Sequence, residues 1–297
     1  MRHARVGATL ALALLAGASA CWGNGGSTSG RIQVVAGENF YGDMARQLGG
    51  RYVDVTSILT DPDADPHLFE PGTHVAAQMA AGRLVIVNGL DYDGFMDRIL
   101  KAAPDPDRKV VTVAQALGIS GKDANPHIWY DEPRLDDIAG AITGGLIDVD
   151  PAHRPYFQQQ LARFRSSLAP LHQAVAAIRS KDGGAPVAYT EPVPGYLLDA
   201  AGLVIRTPPG FALAIEEGND PTVQEVAEFE ALISGHQIRV LLLNSQATSP
   251  ITERLRKDAE REGIPVVLVT ETLPPGKTFQ AWQLGQVRDL QKALEGP

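Results

Sequence analysis

Two histidines in this sequence lie in loops of the same design. Each follows a proline directly and stands two residues before an aromatic side chain, in Asp65-Pro-His67-Leu-Phe and in Asn125-Pro-His127-Ile-Trp. Because a residue before proline is pushed out of the helical region, these loops are expected at strand-to-helix passages and not on helix surfaces. Either histidine alone could be an ordinary polar loop residue. The repeated design predicts that His67 and His127 share a function based on imidazole chemistry.

The composition narrows that chemistry. The chain has 297 residues, with 26 Lys and Arg against 35 Asp and Glu, and a formal net charge of −9. It therefore lacks the basic footprint that nucleic-acid binding requires. A single cysteine, Cys21, excludes a disulfide framework and a thiolate metal cluster within the chain. The available donors are oxygen atoms and imidazole.

Eight short apolar runs predict the strands that position these loops. They show no alternation of apolar and polar residues, which is typical of strands buried on both faces of a parallel sheet. The predicted strands are 32–36, 53–59, 84–88 and 109–113, then 186–190, 204–207, 240–244 and 266–270. The predicted helices between them include 73–82, 133–146, 222–234 and 250–262. This order predicts an α/β fold of two lobes, each with a four-stranded, mainly parallel sheet flanked by helices.

A long amphipathic stretch separates the two sets of strands. Apolar residues recur at alternating spacings of four and three from Phe157 to Ile178, which predicts one long helix with a continuous apolar stripe. Pro170 lies inside this helix and is expected to kink it. We interpret the helix as a strut that joins the lobes. A coiled-coil or dimer seam is the alternative.

The N-terminal residues predict export. Three basic side chains within the first five residues precede an apolar run over 6–16, which ends in small residues before Cys21. The run is too short to span a bilayer and has the proportions of a signal peptide. Cys21 stands where lipoprotein processing would leave a lipidated N-terminus, and 22–30 reads as a flexible tether. Cleavage after Ala20 without lipidation is the alternative.

The two histidine loops resemble the signatures of the cluster A-I solute-binding proteins of zinc and manganese ABC importers. The segments Asn-Gly-Leu-Asp-Tyr-Asp-Gly-Phe-Met from Asn88 and Asp-Pro-Ala-His-Arg-Pro-Tyr from Asp150 are also similar to that family's pattern. The resemblance covers residues 31–294. It implies two α/β lobes joined by one long helix, with a single divalent metal ion, Zn²⁺ or Mn²⁺, held between them as cargo. It also implies delivery to an ABC permease in the membrane, and no enzymatic activity.

The same resemblance implies two ligands in the second lobe. The family's third ligand, His or Glu, follows the first strand of that lobe, where this chain has Glu191. The fourth is an acidic residue after the last strand, where this chain has Glu271. Both positions lie at carboxyl ends of predicted strands, the edge at which α/β sheets bind ligands. The implied set is His67, His127, Glu191 and Glu271, although Glu191 could instead favour a helix start and Glu271 could face solvent.

Several features of the sequence bear on which metal ion is bound. The stretch 118–125 lacks the His-rich loop that zinc-directed members often carry, and Glu191 replaces a third histidine. Carboxylates bind through one oxygen or two, so coordination beyond four is accessible and favours Mn²⁺. The general affinity order of divalent ions favours Zn²⁺, so selectivity depends on geometry and metal supply, and Mn²⁺ is the slightly preferred expectation.

The resulting organisation has five parts. These are a signal peptide (1–20), a lipidated Cys21 with its tether (21–30), an N-terminal lobe (31–154), a linking helix (155–181) and a C-terminal lobe (182–297). We expect a monomer, anchored by lipid at the cell surface or in the periplasm. An adhesin with the same fold and a secreted metallohydrolase are the alternatives. A hydrolase needs an open coordination position and a general base, and four protein ligands leave water little room.

Overall fold

A parallel four-stranded sheet forms the first lobe of the computed structural model, which describes Met1 and residues 30–62, 69–121 and 124–296. Its strands are β1 (Ile32–Glu38), β2 (Val53–Leu59), β3 (Leu84–Val87) and β4 (Lys109–Thr112). Its helices are α1 (Asn39–Gly49), α2 (Thr73–Ala81), α3 (Gly94–Ala102), α4 (Val113–Ala116) and α5 (Leu135–Val149). The strand order is β2-β1-β3-β4, with every neighbouring pair parallel.

The second lobe repeats this topology. Its strands are β5 (Pro186–Tyr189), β6 (Val204–Ile205), β7 (Val240–Asn244) and β8 (Val266–Val269). Its helices are α8 (Gly195–Ala200), α9 (Pro209–Glu216), α10 (Val223–Ser234), α11 (Pro250–Arg261) and α12 (Phe279–Glu295). The order β6-β5-β7-β8 is again parallel throughout, so the predicted fold class is confirmed.

The segment that links the lobes is a bent helix. It consists of α6 (Arg154–Ser167) and α7 (Ala169–Asp182), which are separated at Leu168. Pro170 lies in the first turn of α7. Backbone N–H groups in a first turn have no partner within the helix, so the lack of an N–H on proline costs no hydrogen bond there. The predicted kink is present and lies two residues before the proline. The domain boundaries at 154/155 and 181/182 stay predictions.

The apolar stripe of the linking segment packs inside the chain. Phe157 and Leu168 are completely buried, and Phe164, Leu171, Val175 and Ile178 are nearly so. All of them belong to one core cluster that also includes residues of both lobes. The linking segment is therefore a strut between the lobes, as predicted, and its apolar residues do not form an exposed seam.

The two lobes share part of their core. Phe40 on α1 stacks on Trp129 with ring centroids 4.4 Å apart, and the ring of Trp282 on α12 lies 5.9 Å from Phe40. All three side chains are buried. Residues Arg31–Pro297 accordingly form one compact unit. Within the part of the chain that the structure describes, no helix is both long and apolar enough to cross a membrane.

Candidate metal centre

Three strand ends in the second lobe carry buried polar side chains. Glu191 and Glu271 each lie two residues beyond a strand, β5 and β8 respectively, and Asn244 is the last residue of β7. Since β7 lies between β5 and β8, the three side chains meet at the carboxyl edge of the sheet. Their exposed fractions are 1%, 0% and 1%, so neither carboxylate faces solvent.

Asn244 joins the two carboxylates. Its Nδ2 donates one hydrogen bond to Oε2 of Glu191 and another, of 2.7 Å, to Oε1 of Glu271. Gln246 supports the same loop, because its Oε1 accepts from the backbone N–H groups of Glu271 and Thr272 at 2.6 and 3.1 Å. The two acidic groups are therefore held together in a water-poor site by amide donors.

His127 enters this site from the first lobe. It lies just before a 3₁₀ turn (Ile128–Tyr130) and is fully buried. Its Nδ1 is 2.7 Å from Oδ1 of Asn125, while Nδ2 of Asn125 donates to the carbonyl of Pro192 at 2.8 Å. Because that amide orientation makes Oδ1 an acceptor, we assign the ring proton to Nδ1. Glu216 on α9 also approaches this nitrogen, at 3.8 Å.

The other ring nitrogen faces a carboxylate. Nε2 of His127 lies 3.3 Å from Oε2 of Glu271. With the proton on Nδ1, both of these atoms carry lone pairs that can bind the same cation. Two ligand atoms that each lie about 2.1 Å from one tetrahedral ion are about 3.4 Å apart. The spacing thus matches a shared metal ion, with one ligand from each lobe.

Tyr92 makes a second connection between the lobes. Its hydroxyl donates to Oε2 of Glu271 at 2.9 Å, and its ring packs edge-on against the imidazole of His127 at 5.7 Å. Burial, and next the nearby charge of Glu271, raise the pKa of Tyr92 well above its ordinary value. Tyr92 is therefore a neutral donor that orients this carboxylate.

A buried carboxyl pair supports the loop that carries Tyr92. Asp93 accepts from the backbone N–H groups of Asn88 and Gly89 at 2.6 and 3.0 Å, and the carboxyl group of Glu38, at the end of β1, lies close to it. Burial raises the pKa of Asp93 to about 6. Burial and, next, the charge of Asp93 raise the pKa of Glu38 well above its ordinary value. Of the two carboxyl groups, that of Glu38 consequently holds its proton more strongly.

The structure brings three of the four predicted ligands to one place. His127 and Glu271 are in direct contact, and Glu191 is joined to Glu271 through Asn244. His67 and the predicted lipidation site Cys21 lie outside the described residues. Within the described ranges, no group of three or more His, Cys, Asp or Glu side chains is arranged to hold a metal ion by itself. The full set of four therefore stays a prediction that includes His67.

Several side chains of this site were not predicted to have a role. Asn125, Tyr92 and Glu38 were not recognised, and neither were Asn244 and Gln246. A signal was available for Asn244, since it ends an otherwise fully apolar strand at the ligand-binding edge. For the others the sequence holds no comparable signal. Tyr92 contacts Glu271 across 179 residues of chain, Asn125 contacts Pro192 across 67, and Gln246 contacts Glu271 across 25.

Two parallel α/β lobes around a buried set of imidazole and carboxylate groups define a two-lobed solute-binding protein. The family model described as zinc-uptake complex component A, periplasmic, matches residues 34–293, and the chain belongs to this family, the ZnuA family. The family consists of metal-binding solute-binding proteins of ABC importers and not of enzymes, so the predicted class is confirmed.

Characterised relatives are distant in sequence. The manganese-binding lipoprotein MntA of Bacillus subtilis is 22% identical over 255 residues, which cover 82% of this chain and 81% of that protein. The zinc-binding protein TroA of Treponema pallidum is 21% identical over 266 residues, which cover 86% and 83% of the two chains.

Solved structures show the same fold. The periplasmic zinc-binding protein TroA from Treponema pallidum superposes with a TM-score of 0.74 over 89% of this chain and 99% of its own, at 18% identity. FpvC from Pseudomonas aeruginosa in complex with Mn²⁺ gives 0.75 over 89% and 98%, at 16% identity.

Proposed function

We propose that this protein binds one divalent transition metal ion, Zn²⁺ or Mn²⁺, between its lobes and delivers it to an ABC permease in the membrane. The observation that carries the proposal is the 3.3 Å approach of Nε2 of His127 to Oε2 of Glu271, since these atoms come from opposite lobes. His127 and His67 would supply imidazole from the first lobe, and Glu191 and Glu271 carboxylate from the second. The relatives named for manganese and for zinc support both ions.

Capture follows from the charges of this set. Two carboxylates and two neutral imidazoles balance a divalent ion, and the buried site replaces its hydration shell with fixed ligands. Bound metal ties the lobes together, and release requires that His127 and Tyr92 move away from Glu271. The core shared by Phe40, Trp129 and Trp282 restricts this to a modest displacement. A lipid on Cys21 would keep the protein beside the permease, as the names of lipoprotein relatives suggest.

Metal binding by purified protein tests the proposal. Metal-free wild type titrated with Zn²⁺ and with Mn²⁺ should take up one ion per chain, and the bound ion should raise the melting temperature because it stabilises only the folded state. The His127→Ala variant should lose most of that rise. The matched control is His153→Ala, since His153 pairs with Asp150 outside the site. A full metal-induced shift in His127→Ala would reject the site.

Measurement of metal uptake distinguishes the proposed transport function from the two alternatives, an adhesin and a metallohydrolase. In a strain deleted for the gene, uptake of the preferred metal should fall and should be restored by wild type and not by His127→Ala. Unchanged uptake together with lost surface adhesion would indicate the adhesin instead. Metal-dependent turnover of an ester, peptide or phosphate substrate would indicate the hydrolase.

A further inference from the structure

Each hydrogen-bonding group of the Asn244 side-chain amide has a partner within the site. Both donors of Nδ2 go to carboxylates, one to Oε2 of Glu191 and one to Oε1 of Glu271. Its Oδ1 accepts from the backbone N–H of Gln246 at 3.0 Å, so a flipped amide would place acceptor against acceptor. The backbone N–H of Asn244 lies 3.3 Å from Oγ1 of Thr190, beside Glu191. The three bonds of the side-chain amide fix it in one orientation between the two acidic side chains.

This orientation engages one oxygen of each carboxylate. The two carboxylate oxygens of Glu271 have different partners: Oε1 accepts from Asn244, while Oε2 faces His127 and Tyr92. A carboxylate that turned to offer both oxygens to an ion would give up its bond to Nδ2. In a site this buried, the lost hydrogen bond is not replaced by water, so the turn is unfavourable.

We propose that Asn244 is a specificity-determining residue, which restricts Glu191 and Glu271 to one oxygen each and thereby favours a four-coordinate ion over one with more oxygen ligands. The inference rests on the proposed function, because it concerns the same site. Four ligand atoms suit tetrahedral Zn²⁺, whereas Mn²⁺ gains more from additional carboxylate oxygens. Asn244 thus opposes the preference for Mn²⁺ that two flexible carboxylates would otherwise give. It acts through the carboxylates and need not touch the ion.

Two substitutions test this role. Asn244→Ala removes both donors, and Asn244→Asp removes them while keeping an oxygen that can accept from Gln246. In competition titrations of the full chain, the preference for Zn²⁺ over Mn²⁺ should fall in both variants, by about tenfold in Asn244→Ala. The visible absorption of bound Co²⁺, which is intense in four-coordinate sites and weak in six-coordinate ones, should be strong in wild type and reduced in both variants.

The control is Thr190→Val, which removes the contact to the backbone of Asn244 and leaves both donors of Nδ2 in place. This variant should change the affinities for Zn²⁺ and Mn²⁺ by the same factor and leave the Co²⁺ spectrum unchanged. Unchanged preference and spectrum in both Asn244 variants, with wild type binding metal normally, would overturn the inference alone. Failure of wild type to bind any of the three ions would overturn the proposed function and this inference with it.

Discussion

The three candidate ligands that the structure describes, His127, Glu191 and Glu271, are each held by a side chain that is not itself a proposed ligand. Asn125 fixes the ring of His127 through Nδ1, and Tyr92 and Asn244 each hold one oxygen of Glu271. Such outer partners set the ring tautomer and the direction of the ligand lone pairs. Residues from both lobes therefore determine the geometry of the described part of the site.

The Glu191→His variant tests the contribution of a single oxygen ligand. Replacing a hard carboxylate with imidazole should weaken binding of Mn²⁺ much more than binding of Zn²⁺. We expect the preference for Zn²⁺ over Mn²⁺ to rise by about tenfold or more, equivalent to roughly 1.4 kcal/mol. Competition titrations of both ions measure this ratio. Glu228→His, on the exposed face of α10, serves as control, and an equal ratio in both variants would mean that Glu191 is not a ligand.

The ligand set was inferred from the family resemblance together with residue type, and it stays a prediction. Glu191 and Glu271 follow strands that are readable as apolar runs, and His127 lies in a loop that resembles a family signature. The roles of Asn244 and Tyr92 were not readable in the same way. They depend on which strands are neighbours in each sheet and on how the lobes face each other, and neither property is encoded locally.

At the scale of elements, the loop between β3 and α3 is held in place by a buried acidic side chain within it, Asp93. Gly89, Leu90 and Asp91 all have positive φ, of 84°, 56° and 60°. Such backbone is unfavourable for Leu and Asp, and the bonds from Asn88 and Gly89 to Asp93 compensate for it. The loop in turn places Tyr92 against Glu271, so strain in the first lobe supports the site in the second.

The pair of Glu38 and Asp93 predicts a pH dependence of stability. Both pKa values are raised in the folded protein, that of Asp93 to about 6, so the folded state holds protons that the unfolded state releases. This contribution is fully present below the ordinary carboxyl pKa and is lost as pH rises, so metal-free protein should become less stable from about pH 5 to pH 8. In Glu38→Gln, which stays neutral, the loss should be smaller. Chemical denaturation at both pH values measures it.

The control for this experiment is Glu228→Gln, an exposed acid on α10. It should keep the pH dependence of wild type. If Glu38→Gln also keeps it, Glu38 is not the protonated member of a buried pair.

The elements themselves were largely predictable because strands buried on both faces are continuous apolar runs. The exceptions have local causes. β1 continues to Glu38, past its predicted end at 36, because Glu38 pairs with Leu59 although its polar side chain ends the apolar pattern. β6 stops at Ile205, before its predicted end at 207, and the side chain of Thr207 then bonds the backbone of Tyr189.

At the scale of the whole molecule, the lobes are connected by a common core as well as by the linking helices. Asn39 on α1 and the backbone of Leu273 exchange two hydrogen bonds of 2.8 Å across the interface. Together with the packing of Phe40 and Trp282, these contacts predict small movements between the lobes. A protein with this construction should release its cargo by local separation at the site more than by wide opening.

The Trp282→Ala variant tests whether the core shared by the lobes restrains metal release. Loss of a buried tryptophan should lower the free energy of unfolding by about 3–5 kcal/mol, and the loosened interface should speed metal dissociation. Phe229→Ala is the matched control, because Phe229 packs on Phe211 in a separate core cluster of the second lobe. Stopped-flow chelator exchange measures dissociation. Equal rates in both variants would show that the shared core does not restrain release.

Membrane attachment is a property of the whole chain, and Cys21→Ser tests it. The variant should shift from the membrane fraction to the soluble fraction, because Cys21 is the proposed lipid-bearing residue. Fractionation and immunoblotting measure the distribution. Mass spectrometry of the wild-type N-terminus supplies the check, and an unmodified residue there would contradict lipid anchoring.

The position of the bound metal ion is the most direct test of the account. Crystals of the protein loaded with Zn²⁺ or Mn²⁺, measured at the absorption edge of the metal, locate the ion by its anomalous signal. We predict one ion per chain, about 2.0–2.2 Å from Nε2 of His127 and from carboxylate oxygens of Glu191 and Glu271, with His67 completing the set. An ion bound elsewhere, or one whose ligands come from a single lobe, would contradict it.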